Sequence, residues 1–198
     1  MYELKVRMTF MEEVLGTAPN NPDLHGTYIA SKAPNAVSVE EEIDALGVDG
    51  VVEKGMTVFP RTEDGKPFIY DYQVKGFFKD SASALRKVPG TVSSKVRAYK
   101  KEIDGLLFVF PRKIPFNLNG GVIGECQRPL RASTPMGERV SIAHSETVPA
   151  GSTIEFTIGC YTEQMRDLAY ELLDYGSMRG LGQWRNSGKG RFTWEEVE

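Results

Sequence analysis

The stretch Gly180-Leu181-Gly182-Gln183-Trp184-Arg185-Asn186-Ser187-Gly188-Lys189-Gly190-Arg191 sets two Gly-x-Gly pairs around a polar, basic segment that carries one tryptophan. Glycines at this spacing interrupt any helix or strand, because glycine loses the most freedom on ordering and reaches positive φ without strain. The chain must therefore pass through a loop here, between a helical pattern before it and an alternating pattern after it. Such a loop can hold phosphates. Gly180, Gly182, Gly188 and Gly190 let the backbone approach a ligand, exposed N–H groups donate, and Arg185, Lys189 and Arg191 supply positive charge. Trp184 adds a flat surface for a base. The same residues also fit a plain turn with Trp184 in the core.

Upstream, Glu3 to Met11 alternates with Leu4, Val6, Met8 and Phe10 on one side, a first strand. Gly16 to Asn35 is rich in Gly, Pro and Asn and reads as an excursion; Ser38 to about Leu46 reads as an acidic helix with Glu41 completing a capping box. Met56–Phe59 and Phe68–Tyr70 suggest a β-hairpin turning at Asp64-Gly65. From Val74 to Lys87, Val74, Phe77, Phe78, Ser81 and Leu85 share one helical face, and Lys75, Lys79 and Arg86 share another. Leu106 to Phe110, bounded by Gly105 and Pro111, is the apolar run of a buried strand. Pro111 to Ser145 reads as a second excursion with its own hairpin and with Arg128, Arg131 and Arg139. Thr153 to Tyr161 alternates as a strand. Thr162 then N-caps a helix through Leu173 that stops at Gly176, and Arg191 to Val197 forms the last strand. The order predicts an α+β fold, a ferredoxin-like (RRM-like) βαββαβ with two helices on one face of a four-stranded sheet. One domain over residues 1–198 is expected, with insertions at about 12–70 and 111–146.

Composition narrows the function classes. A 40% hydrophobic and 26% charged chain of 198 residues is an ordinary globular protein. Its opening residues lack the apolar run of a signal peptide, and no segment approaches the roughly 20 apolar residues of a membrane span, so a cytoplasmic setting without membrane is expected. Cys126 and Cys160, with His25 and His144, offer neither metal-ligand spacing nor a disulfide framework; no metal and no cofactor is expected. The net charge of −3 argues against a generic polyanion binder, yet the charge is unevenly spread. Lys66 to Lys101 holds nine cations against Asp71 and Asp80, whereas Ser38 to Lys54 holds six carboxylates against Lys54.

Four stretches together resemble the RAMP superfamily of CRISPR ribonucleoproteins, in particular the subunits that form the backbone of type III and type I effectors along guide RNA. Phe10-Met-Glu-Glu-Val-Leu-Gly16 is similar to the passage from the family's first strand into its loop. Gly65-Lys-Pro-Phe-Ile69 followed by Val74-Lys-Gly-Phe-Phe-Lys79 resembles the family's helix start, with Asp71-Tyr72-Gln73 where the family has Pro-Gly-Ser-Ser. Glu146 to Phe156 is similar to the Glu-x-Val-Pro-Ala-Gly entry to the third strand. Gly180 to Arg191 resembles the family's defining Gly-rich loop, with Lys189 at a position that is often apolar.

The resemblance implies that the helix start and the Gly-rich loop grip nucleic-acid backbone. The chain is expected to be a solitary, non-catalytic RAMP-like protein. Single-stranded RNA or a short oligonucleotide is its expected ligand, bound through Lys75, Lys79, Arg86, Gly180, Gly182, Trp184, Arg185, Gly188, Lys189, Gly190 and Arg191. CRISPR effector subunits are its expected protein partners, and oligomerisation is left open. Two alternatives stand beside this reading. A phage or mobile-element mimic of a backbone subunit would act through protein contacts, which the acidic segment near Glu40 suits. A metal-dependent endoribonuclease would use Asp23 in the loop after the first strand; other nucleases of the family suggest His25 with Tyr28 and Lys32.

Overall fold

In a computed structural model the backbone is described for residues 1–20, 56–134 and 137–198, and side chains for the same residues except 130–141. The expected excursion beyond residue 20, the acidic helix near Glu40, and the candidates Asp23, His25, Tyr28 and Lys32 lie outside the described residues, as do the side chains of Arg131 and Arg139. The chain gathers into two compact units, one of Met1–Val14, Pro60–Val122 and Val148–Glu198, the other of Leu15–Phe59 and Ile123–Thr147.

The first unit is built on β1 (Tyr2–Phe10), whose period-two pattern buries Leu4, Val6, Met8 and Phe10. It is flanked antiparallel by β10 (Thr153–Cys160) and β11 (Phe192–Glu196). The far edge of β10 carries two strands in succession: β6 (Leu107–Phe110) pairs Ile158 with Val109, and β7 (Lys113–Asn117) pairs Ile154 with Phe116. Then β5 (Phe68–Tyr70) pairs with β7, Ile69 opposite Ile114. Along β1, β10 and β6 the strand order is β11-β1-β10-β6.

Helix α1 (Asp71–Leu85) enters between β1 and β6 in the chain, and α4 (Glu163–Asp174) between β10 and β11. The apolar stripe of α1 (Val74, Phe77, Phe78, Ala82) and that of α4 (Met165, Leu168, Ala169, Leu172, Leu173) are buried. Phe77 meets Phe192 with ring centroids 5.2 Å apart, and Phe192 meets Phe10 at 6.1 Å, which joins helix to sheet through one aromatic cluster. The opposite strand face carries Glu3, Lys5, Arg7 and Thr9. There Arg7 reaches both neighbours, donating to Glu155 at 2.7 Å and Glu195 at 2.9 Å. Two smaller helices, α2 (Val92–Lys95) and α3 (Tyr99–Leu106), fill the connection to β6, and α2 is held by Glu171, which accepts from the Val92 and Ser93 amides.

The second unit centres on a long antiparallel hairpin, β8 (Gly124–Thr134) with β9 (Gly137–Val148), the hairpin expected in the second excursion. Short strands β2 (Val14–Leu15), β3 (Ala18–Pro19) and β4 (Thr57–Val58) extend this sheet in the order β2-β9-β4-β3; β3 and β4 pair with each other, and β4 joins β9 at Thr57 and Ser145. The buried Glu146 carboxyl group accepts from the Phe59 amide at 2.8 Å, which gives it a partner away from water.

Several expectations are corrected. The runs at Met56–Phe59 and Phe68–Tyr70 do not form a hairpin with each other: β4 is drawn to β9 and β5 to β7, and the Asp64-Gly65 turn is closed by an Arg61–Pro67 bridge and by the Thr62 amide donating to the Lys66 carbonyl at 2.9 Å. Pro60 between the runs has no N–H for a ladder, and its carbonyl instead accepts from Phe68. Helix α1 begins at Asp71 rather than Val74, because Gln73 accepts from the Tyr70 amide and caps the first turn. The second long helix stops just before Gly176, at Asp174 with Tyr175 as its cap, but a short helix α5 (Gly176–Arg179) follows directly, and Gly180 at φ 76° ends it.

Candidate nucleic-acid interface

The Gly-rich loop leaves α5 and turns back on itself. Gly180, Gly182, Gly188 and Gly190 all hold positive φ, and Trp184 is left-handed as well, at φ 54°, before a short 3-10 turn at Arg185–Ser187. The base of the loop is closed by backbone: the Leu181 amide donates to the Gly190 carbonyl at 2.8 Å, and the Gly190 amide donates to the Glu13 carbonyl at 2.9 Å. A Cβ on Gly190 would collide with the Leu181 carbonyl, so glycine is required there by space as well as by φ. The loop is thereby fastened to the residues just after β1, where the Met11 amide also donates to Arg191.

Charge repeats that fastening. Lys189 pairs with Glu13 at 2.5 Å and Arg191 with Glu12 at 3.3 Å. On the other side, Asp80 of α1 accepts from Arg179 at 2.7 Å and from Arg185 at 2.9 Å, and Arg179 also donates to Asn186 at 2.8 Å. Partial burial pushes the Asp80 carboxyl upward, but the hydrogen bonds and charges of Arg179 and Arg185 outweigh it and hold the group below the ordinary carboxylate value.

The loop therefore meets α1 at Asp80 in the helix's third turn, not at its start. Lys75 turns elsewhere: its ammonium donates to the Asp104 carbonyl at 3.2 Å and lies over the Phe108 ring at 5.2 Å. Burial pulls the Lys75 ammonium below its ordinary value, with Asp104 opposing and Lys79 assisting. Lys79 pairs with the Asp104 carboxylate at 2.6 Å, and Arg86 lies over Tyr99. The six cations singled out from the sequence thus all have partners within the protein. Five of them touch a carboxylate or carbonyl, where the sequence suggested open positive charge. Trp184 is 39% exposed and is not enclosed in the core.

The carboxylates Glu12, Glu13, Asp80 and Asp104 complete the site, although the glycine and cation motif does not single them out. The signal for two of them was present, since Glu12 and Glu13 sit in the Phe10 to Gly16 motif that resembles the family's first loop. Arg179, one residue before the Gly-rich stretch, joins the site through Asp80 and lies outside the motif. Among the described residues no group of His, Cys, Asp and Glu is arranged to hold a metal ion, and no helix is long and apolar enough to cross a membrane.

No protein-family model and no curated protein matches the chain. Solved structures do. A chain of the type III-B Cmr-beta complex, determined by cryo-EM bound to cognate target RNA, is similar with a TM-score of 0.52 at 12% identity, over 99% of this chain and 58% of the other. This protein thus spans little more than half the length of that relative. A chain of a type IV-B CRISPR complex gives 0.49 at 13% identity over 99% and 90%. Cmr6 from Pyrococcus furiosus gives 0.49 at 12% over 97% of both chains. The first likeness shows a shared α+β fold of largely antiparallel sheets.

Proposed function

We propose that this chain is a RAMP-like protein with a ferredoxin-like βαββαβ core, and that it binds single-stranded RNA as a subunit of a CRISPR-type ribonucleoprotein. The strand order β11-β1-β10-β6, with α1 and α4 as the two crossovers, supports the fold. The fold shared with a chain of an RNA-bound type III-B complex, and the four sequence stretches, support the assignment.

The observation that carries the reading is the double ion pair on Asp80. It fixes the Gly-rich loop against α1, so that Arg179 and Arg185 stand beside the helix at a defined place while Lys189 and Arg191 stand at the loop's other side. The loop's amides at Gly180, Leu181, Gly188 and Gly190 are spent on its own closure, so its cations are what suit one ligand class, an extended phosphate chain, and Trp184 offers a base a flat partner.

The paired carboxylates set the binding energetics. A phosphate that takes Lys189 or Arg191 must displace Glu13 or Glu12, and the released carboxylate attracts a cation from solution. Each contact then releases less than the full counterion contribution of a bare lysine on a single strand, about −0.7 in the slope of log K against log salt. Fluorescence anisotropy of a labelled oligouridylate over a salt series, with Lys189→Ala and Arg191→Ala, tests the reading: both substitutions weaken binding and flatten the slope.

A further inference from the structure

The first unit carries a second exposed surface that the Gly-rich loop does not use. On β6, Leu107 and Val109 are buried, so the alternate residues Phe108 and Phe110 project from the helix-free face. Between them lies Gly159 of β10, whose missing side chain leaves the Phe110 ring edge and the Phe108 Cβ within about 4 Å of the position a Cβ would take. The result is a flat shelf, and Phe110 is 55% exposed on it. The chain then turns within two residues to Arg112, whose guanidinium lies 5.8 Å from the Tyr70 ring centre and 5.6 Å from that of Tyr72. Those two rings are stacked, 5.1 Å apart and 16° from parallel, with Tyr72 53% exposed. Lys113, exposed, lies over Phe68, and Lys75 over Phe108.

Phe110 and Tyr72 are the exposed rings, with Phe108 and Tyr70 half-buried and Phe68 buried; exposed rings mark a contact surface, and the charges around them say for what. Lys75, Arg112 and Lys113 border the rings; Asp71 pairs with Arg112 at 3.0 Å, and Asp104 is taken up by Lys79. On β1, Glu3 stands opposite Gly159 and Lys5 opposite Thr157 on the same face and offset one another, so the balance stays cationic, which suits an anionic occupant. Rings that are flat, exposed and flanked by ammonium or guanidinium groups suit flat bases joined by phosphates. We infer that the strip from Phe110 to Tyr72, with Arg112 and Lys113, is a base-stacking platform for single-stranded RNA, separate from the Gly-rich loop. The inference rests on the reading of this chain as a single-strand binder and adds where its bases are held.

The test uses the intact protein and a fluorescein-labelled oligouridylate. Phe110→Ala and Tyr72→Ala each weaken binding by about fivefold or more with the salt slope unchanged, because stacking carries no counterion release. Phe110→Trp retains affinity. Ultraviolet cross-linking places the oligonucleotide on the peptide containing Phe110 or Tyr72. Both rings are more than half exposed, so melting curves of the variants stay at the parental value and separate lost stacking from lost folding. If the double alanine variant binds as tightly as the parent, the platform is wrong and the surface belongs to a protein partner. If loop variants lose binding and these do not, the platform alone falls. If these lose binding and Lys189→Ala and Arg191→Ala do not, the loop reading falls and the platform stands.

Discussion

Arg185 donates from Nη1 to the Asp80 carboxylate at 2.9 Å, an ion pair that joins the Gly-rich loop to a helix 105 positions earlier in the chain. Asp80 also accepts from Arg179, so one carboxylate orders two cations. Charge-assisted pairs of this kind contribute more than neutral hydrogen bonds, and partial exposure discounts them.

Asp80→Asn is expected to cost about 1 kcal/mol of stability, the discounted value of its charge-assisted pairs, and to weaken single-strand binding by freeing the loop. Chemical denaturation of both proteins at neutral pH, with anisotropy in parallel, checks the two effects. Unchanged stability would remove Asp80 from the account.

The pH dependence of that difference has a definite sign. Asp80 titrates below the ordinary carboxylate value of 3.8 in the folded protein, so its contribution is fully present above about 3.8 and is lost as pH falls through the lower, folded value. The stability gap between the parent and Asp80→Asn should close in acid and stay constant above roughly pH 5. Denaturation midpoints across this range measure it.

Much of this architecture is legible from residue order. Leu4, Val6, Met8 and Phe10 at period two mark β1, Thr162 marks the start of α4 by accepting from the Met165 amide, and the alternation after Arg191 marks β11. What the sequence conceals is long-range choice of partner. Phe68–Tyr70 carries the same strand signal whether it pairs with Met56–Phe59 or, as it does, with Lys113–Asn117, because period-two patterns name a face and not a neighbour. The site divides in the same way. The glycines and cations are visible as a motif, whereas the pairing of Lys189 with Glu13 and of Arg185 with Asp80 depends on contacts across 176 and 105 positions.

Glu12→Gln and Glu13→Gln are expected to tighten binding of a single-stranded oligonucleotide and to steepen its salt dependence. Each substitution removes a charge that competes with phosphate, while the backbone bond from the Gly190 amide to the Glu13 carbonyl keeps the loop in place. Anisotropy titrations at several salt concentrations read both changes. Weaker binding by both variants would mean that the carboxylates serve the loop and do not compete with the ligand.

Gly190→Ala should destabilise the protein far more than Gly65→Ala. Both residues have positive φ, 71° and 80°, so each alanine bears the left-handed penalty of about 1 kcal/mol or more. Only at Gly190 does the new Cβ meet backbone, the Leu181 carbonyl; at Gly65 it meets open space. Melting curves of the two variants side by side make the comparison.

Single-strand RNA affinity as a function of salt tests the central claim most directly. An oligouridylate should bind with an affinity that falls linearly in log K against log salt, and a duplex of the same length should bind more weakly. Lys189→Ala and Arg191→Ala should each flatten the slope by less than about 0.7, and Trp184→Ala should weaken binding without changing it. No detectable binding of any single strand at low salt, or equal binding of duplex and single strand with a slope that Lys189 and Arg191 do not affect, would contradict the account.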